Sequence, residues 1–295
     1  MTSASAQRLL PTDSVARPAD CLTAALHHLE LSSPDPAGLA RFYQQALGYA
    51  CQQQSGRWIG TAPGRLLGFT SGPAKTLASV GFSVLSAEEL HRLRGRIDSA
   101  GWLREDGPTD FFADAVRVRD PDGTAYVFGL TRALPAPAAA GAALAARLQH
   151  VVVASRDPLR LSDFFTKVLG FIVSDHVVDE QGGIRTIFLR CSADHHSLAV
   201  FLAPSDRLDH HCYETTSWND IRDWADHFAA QSIALEWGPG RHGPGNNLFV
   251  FVHDPDGNWV ELSAELEQVA HDRPVGQWRH EERTLNRWGQ GKLRS

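Results

Sequence analysis

The chain has no apolar run near the roughly 18 to 20 residues that a membrane-spanning helix needs, so no such helix is expected. Basic residues are in deficit: 28 Lys and Arg against 34 Asp and Glu leave a net charge of -6. General nucleic-acid binding needs the opposite balance, because phosphates are neutralised by Lys and Arg. Cysteines are few and scattered (Cys21, Cys51, Cys191, Cys212), with no Cys-x-x-Cys pair. That spacing excludes a disulfide framework and a zinc knuckle, and it predicts unpaired thiols in a reducing, cytoplasmic compartment. The first twenty residues lack the apolar core of a secretory signal and are expected to form a mobile tail. What remains is an ordinary globular balance, 43% hydrophobic and 21% charged, in 295 residues, which is room for two domains. Histidine is the residue in surplus. There are fourteen, clustered in the second half.

Two segments are near-copies: LHHLELSSPDPAGLARFYQQALGY (Leu26 to Tyr49) and LQHVVVASRDPLRLSDFFTKVLGF (Leu148 to Phe171). His28 aligns with His150 and Gly48 with Gly170 at one offset, 122 (150 − 28). Each copy reads as a strand, a Pro-containing turn and an amphipathic helix closed by Gly, the residue favoured just past a helix end. RDPDGTAYVFG (Arg119 to Gly129) and HDPDGNWVELS (His253 to Ser263) are a second matched pair. A finer repeat of strand, helix and three strands runs through each half, so the expected fold is α+β, with four βαβββ modules paired into two curved, incomplete mixed barrels. The expected boundaries are a tail over 1–21, a first domain over 22–131, an Ala/Pro-rich linker over 132–146, a second domain over 147–266 and a C-terminal tail over 267–295.

In the second half, strands are expected at Leu148–Ala154, Asp209–Thr215, Leu248–Val252 and Trp259–Ser263, with a helix at Pro158–Leu169. Asp254 to Asn258 supplies the hairpin turn, where Pro presets one angle and Gly takes the positive one. Glu261 interrupts the apolar strand WVELS, and a buried carboxylate is costly unless a cation or metal pairs with it. His150 and His210 lie on two other strands of that half. Two imidazoles and a carboxylate on one face of a metal, with the opposite face open, are the donor set of non-haem Fe(II) oxygen chemistry, and Mn(II) suits the same donors. Strand alternation sends only one of His210 and His211 inward, and likewise one of His195 and His196. In the first half the positions equivalent to His150, His210 and Glu261 are His28, Ser79 and Val127, so that half is expected to be scaffold.

LQHVVVASRDPLRLSDFFTKVLGF, DHHSLAVF, LDHHCYE and GRHGPGNNLFVFVHDPDGNWVELSAE resemble the vicinal-oxygen-chelate superfamily, and within it the two-domain type I extradiol ring-cleaving dioxygenases, over roughly residues 22 to 266. The resemblance implies His150, His210 and Glu261 as metal ligands, His196 as acid/base and His242 as the histidine that orients substrate. The spacing to Glu214 favours His210 over His211. It also implies Fe(II), with Mn(II) less favoured, a small aromatic diol and O2 as partners, and a homo-oligomer. One departure stands out: where the family carries a tyrosine that hydrogen-bonds substrate, this chain has Phe251. Phe251, Phe188 and Phe201 read first as core; as pocket walls, Phe251 and Phe188 would favour an apolar or aromatic ring substituent. The alternatives are a glyoxalase-type metal-dependent isomerase or lyase, for which three ligands are one too few, and a non-catalytic binding protein, which would have lost its ligands. The basic C-terminal stretch carries Trp278 and Trp288, which predict that it docks back at the pocket or on a neighbouring subunit.

Overall fold

In a computed structural model of the chain, residues 21–132 and 144–293 are described. The expected N-terminal tail and most of the expected linker lie outside those residues.

The βαβββ unit occurs four times. The first comprises β1 (Ala24–Ser33), α1 (Pro36–Leu47), β2 (Ala50–Gln54), β3 (Arg57–Ala62) and β4 (Arg65–Ser71). The second is β5 (Thr76–Val84), α2 (Ala87–Ser99), β6 (Arg104–Asp106), β7 (Phe112–Arg119) and β8 (Ala125–Thr131). The third runs through β9 (Arg147–Ser155), α3 (Pro158–Asp163), a π-helical stretch (Phe164–Leu169), β10 (Ile172–Val178), β11 (Ile184–Arg190) and β12 (Leu198–Leu202). The fourth is β13 (Arg207–Glu214), α4 (Trp218–Ala230), β14 (Trp237–Arg241), β15 (Leu248–His253) and β16 (Trp259–Ala264). Beyond it come β17 (Gly276–Arg279) and the short helix α5 (Glu282–Leu285). Two mixed sheets result, ordered β2-β3-β4-β1-β5-β8-β7-β6 and β14-β15-β16-β13-β9-β12-β11-β10-β17. No helix among the described residues is long and apolar enough to cross a membrane.

The repeat extends to the caps. Asp35 and Asp157 accept from backbone N–H groups at the starts of α1 and α3, each followed by Pro at the first helical position; Ser86 and Ser217 do the same for α2 and α4. Gly48 and Gly170 close their helices with φ of 68° and 83°, the left-handed region a side chain disfavours. The helix expected over Pro158–Leu169 is present, but its second half winds as a π-helix. The wider turn lets adjacent rings face the first half together, Phe164 against Trp102 and Phe165 against Tyr126, both at 5.0 Å.

Register shows how deep the duplication runs. Cys212 pairs with Glu261 on β16 and with His150 on β9; Gly81 pairs with Val127 on β8 and with His28 on β1. In the second half an extra residue, Gln149 or Asp209, is looped out immediately before His150 and before His210. His27 and Ala78 are the matching extra residues in the first half. Such bulges re-aim the side chains beside them. In the first half the space so created is filled. The His28 ring lies over Gly81, where a Cβ would come within 2.0 Å of it, and rests 4.1 Å from Phe111. Glu30 takes an ion pair from Arg57 and a hydrogen bond from Ser79.

One apolar core runs through both halves, from Leu29 and Phe82 to Val151 and Leu262. Polar contacts inside it join the halves. Tyr43 Oη donates to Asp254 at 3.0 Å and lies 3.1 Å from His211 Nε2; Tyr49 donates to Tyr213 at 3.0 Å. Burial pushes the Asp254 carboxyl up to about 6, so at pH 7 it is a buried anion that relies on these donors. Because the Tyr43 hydroxyl stabilises the ionised form, its loss weighs most above that pKa. Tyr43→Phe is expected to cost about 1–3 kcal/mol of unfolding free energy at pH 7 to 8. The loss should shrink as pH falls through about 6 and Asp254 takes up a proton. Urea unfolding of both proteins at pH 5 and pH 8 measures this, and equal losses at the two pH values would refute it.

Candidate metal centre and pocket

Three strands of the second sheet each send one donor to a single point: His150 from β9, His210 from β13 and Glu261 from β16. Their ligand atoms lie within 4.8 Å of one another, and among the described residues this is the one group of His, Cys, Asp or Glu so arranged. Glu261 Oε2 is 3.2 Å from His150 Nε2 and 3.4 Å from His210 Nε2, and the two Nε2 atoms are 3.3 Å apart. All three residues are buried.

The residues looped out by the bulges decide where the protons sit. His150 Nδ1 faces the amide oxygen of Gln149, whose nitrogen is committed to the carbonyl of His196 at 2.7 Å. His210 Nδ1 faces the Asp209 carboxylate at 2.7 Å. Both acceptors call for N–H at Nδ1, which leaves the Nε2 lone pairs turned toward Glu261. Burial holds the His150 pKa below its ordinary value, so the neutral ring is favoured. Asn247 donates to Glu261 Oε1 at 3.0 Å, whereas the buried Oε2 has no hydrogen-bond partner. Three lone-pair donors face one another without an intervening proton. A divalent cation resolves that conflict, and the residues fit one.

The cavity on the open side encloses about 630 Å³ of space between atoms, part of it continuous with solvent. Val152, Phe188, Phe201, Trp237, Phe251 and Leu285 form its apolar walls. His196 and His242 enter from different sides. The His196 ring centroid is 4.4 Å from that of His150 and 5.0 Å from Phe188, and its Nδ1 lies 3.0 Å from His195 Nδ1. Burial, then the neighbouring His150 and His195, keep the His196 pKa well below its ordinary value. His242 donates from Nδ1 to the Leu285 carbonyl at 2.6 Å, with Nε2 3.6 Å from Glu261 Oε1. Phe251 stacks on Trp237 at 5.2 Å and meets the His210 ring edge-on at 5.5 Å, so the position carries an apolar face and no hydroxyl.

Alternation separates the paired histidines. His210 faces the cavity while His211 turns to Tyr43 in the first half; His196 faces the cavity while His195 turns to Asp175. Sequence reasoning left out Gln149, Asp209, Asn247 and Asp175. A signal for the first two was present, since each directly precedes a candidate ligand histidine with a side chain able to accept its second N–H. The C-terminal stretch docks at the pocket: β17 pairs in parallel with β10, and His280, Thr284, Leu285 and Lys292 line the cavity.

Loading with a divalent cation is expected to raise the melting temperature, by about 2.7 kcal/mol of stability at a hundredfold excess over Kd. Glu261→Gln should abolish that rise and cut metal content, measured by atomic spectrometry, well below one ion per chain. An unchanged metal content would remove Glu261 from the ligand set.

Comparison with known proteins agrees with this geometry. The sequence profile of the Glyoxalase/Bleomycin resistance protein/Dioxygenase superfamily matches residues 147–262. Metapyrocatechase 2 of Cupriavidus necator is 29% identical over 145 residues, 48% of this chain and 44% of the relative, so the match spans less than half of that protein's length. Among solved structures, a substrate complex of homoprotocatechuate 2,3-dioxygenase from Brevibacterium fuscum superposes with a TM-score of 0.77 at 24% identity, covering 94% of this chain and 92% of that one. The Mn(II)-bound glyoxalase of Novosphingobium aromaticivorans gives 0.76 at 24%, covering 92% of each chain. At these identities the two structures share the fold. Residues 147–262, which carry the cluster and most of the pocket, therefore form a domain of the glyoxalase/bleomycin resistance protein/dioxygenase superfamily.

Proposed function

We propose that this chain is an extradiol dioxygenase that opens the ring of a catechol-type aromatic beside its vicinal hydroxyls, with His150, His210 and Glu261 holding Fe(II). Mn(II) is the second choice of metal. The observation that carries the reading is the three-donor cluster itself, open on the cavity side and flanked there by two further histidines. The resemblance to a metapyrocatechase and the fold shared with homoprotocatechuate 2,3-dioxygenase support it. Three ligands, all from the protein, leave positions for two substrate oxygens and a third small molecule.

A bound metal supplies a Lewis acid that favours loss of a phenolic proton and, as iron, a path for electrons between ring and dioxygen. The side chains do the rest. The bare nitrogen of neutral His196 accepts a hydroxyl proton and returns it later to the departing oxygen. His242, anchored at Nδ1 by the Leu285 carbonyl, presents Nε2 to the ring oxygens beside Glu261. Val152, Phe188 and Phe251 hold the ring in register and keep water from it, which strengthens every charge interaction inside. Because Phe251 offers no hydroxyl, the substrate is positioned by the two histidines and by shape, and an apolar or aromatic substituent suits the walls. Cys21, Cys51, Cys191 and Cys212 form no disulfide among the described residues, which supports a reducing, cytoplasmic setting.

Anaerobic reconstitution with Fe(II), then a catechol panel in air, tests this through oxygen uptake and the yellow ring-opened product. Uptake matched by product is expected, with both lost in Glu261→Ala. His196→Gln should lower kcat by about 10²–10⁴ while iron stays bound, whereas His28→Ala in the first half should leave kcat unchanged. Metal binding without oxygen uptake on any catechol would overturn the dioxygenase reading in favour of an isomerase or lyase.

A further inference from the structure

The assignment of His196 as base leaves open which of its nitrogens carries the proton, and a chain of buried groups on the far side of the ring bears on that. His196 Nδ1 meets His195 Nδ1 at 3.0 Å, and His195 Nε2 meets Asp175 Oδ2 at 3.0 Å. All three side chains are buried. Asp175 is gripped by the C-terminal segment: Arg273 donates to Oδ1 at 2.8 Å and Trp278 Nε1 to Oδ2 at 2.7 Å. Gly276 makes room for that grip, since a Cβ there would sit 2.3 Å from Asp175 Oδ1.

We infer that Asp175 is a positioning residue that fixes, through His195, the tautomer of His196 required of a base. This rests on the reading of His196 given above. A carboxylate only accepts, and this one is already surrounded by N–H donors, so His195 carries its proton at Nε2. With a single proton on its ring, His195 keeps a lone pair at Nδ1, and the short contact to His196 Nδ1 is then a hydrogen bond only if His196 donates there. His196 is left with an unprotonated Nε2, the one nitrogen not engaged by His195, for the cavity that the ring lines. Backbone bonds keep the relay in place: His195 N donates to Glu267 O at 2.9 Å, and Ser174 donates to the His195 carbonyl. Burial raises the Asp175 carboxyl, but His195, Trp278 and Arg273 outweigh it and hold it below the usual range, so it remains an acceptor. The C-terminal segment thus acts on the pocket twice, through Asp175 and through the Leu285 carbonyl on His242.

The test reads the tautomer directly, from histidine ring ¹⁵N chemical shifts of the full chain loaded with diamagnetic Zn(II). His196 is identified by the signals lost in His196→Gln. The wild-type ring is expected to be protonated at Nδ1 and bare at Nε2; protonation at Nε2 would overturn the inference without any further variant. In Asp175→Ala the Nε2–H form should appear, and kcat of the Fe(II) enzyme should fall at least tenfold, with KM and iron content within about twofold of wild type. A change confined to KM, iron content or stability would make Asp175 merely structural and overturn the proposal. The relay and the dioxygenase reading fail separately: the expected tautomer in a protein inert toward every catechol sinks the reaction, and turnover with the opposite tautomer sinks the relay.

Discussion

The second half is arranged around a carboxylate that has no reason to be buried unless something positive joins it. Glu261 lies in the middle of β16, fully enclosed, with two imidazole nitrogens turned toward one of its oxygens and a single amide donor on the other. Left to itself, such an anion would take up a proton or drive the strand to the surface. The place for that positive partner is made by His150 and His210, whose outer nitrogens are occupied by Gln149 and Asp209, while Asn247 donates to the other oxygen. The sheet brings these groups together through register, and the register depends on the two bulges.

The bulges explain how one architecture serves as scaffold in one half and as site in the other. Both halves loop out a residue at matching positions, so both could turn a histidine inward. In the first half the residue after the bulge is His28, but Glu30 stands where the second half has Val152, and Arg57 and Phe111 complete a plug. A charged pair and a tilted aromatic ring occupy the volume that a metal and a substrate would need. That half still carries load for the other: Tyr43 and Tyr49 reach into the back of β13 and meet His211, Tyr213 and Asp254. Behind the ligand strand there is hydrogen-bonded packing, in front of it a cavity, and His210 and His211 divide those two roles.

Much of this was legible in the sequence because a fourfold repeat constrains itself. A Pro after Asp and a Gly after Leu mark the same helix ends in the first and third modules, and the DPDG turns fix the closing hairpins, so the βαβββ order follows from turn chemistry. The offsets that align His150 with His28 and Glu261 with Val127 are those of the strand pairings. What did not follow lies where the repeat gives no second copy or where a strand's alternation slips. The π-helical turn depends on which rings the opposite half presents to Phe164 and Phe165. The hydrogen bonds of Gln149 and Asp209 depend on bulges, which slip the alternation that a strand reading assumes. The strand β17 is four residues long and has no counterpart in the other half. Asp175 reads as an ordinary polar residue of an edge-proximal strand until β17 is known to cover it.

The coupling between that unrepeated segment and the pocket follows from how hydrogen-bond direction propagates. A carbonyl or carboxylate accepts and never donates, so wherever one meets a neutral imidazole it settles which ring nitrogen carries the proton and which keeps the lone pair. The pocket contains this arrangement four times: the Gln149 amide oxygen on His150, Asp209 on His210, the Leu285 carbonyl on His242, and Asp175 on His195. In the first two the acceptor lies on the side away from Glu261 and a lone pair remains on the inner side; on His242 the Leu285 carbonyl takes the outer N–H. In the fourth the same rule passes through one more ring before it reaches the cavity. The two acceptors that serve the metal ligands belong to the strands themselves and are as rigid as the sheet. The two that serve the remaining histidines, by contrast, depend on the C-terminal segment, one supplied by it and one clamped by it. The donor set of His150, His210 and Glu261 is therefore built into the repeated fold, whereas the other two pocket histidines, His196 and His242, are tied through hydrogen bonds to the last residues of the chain.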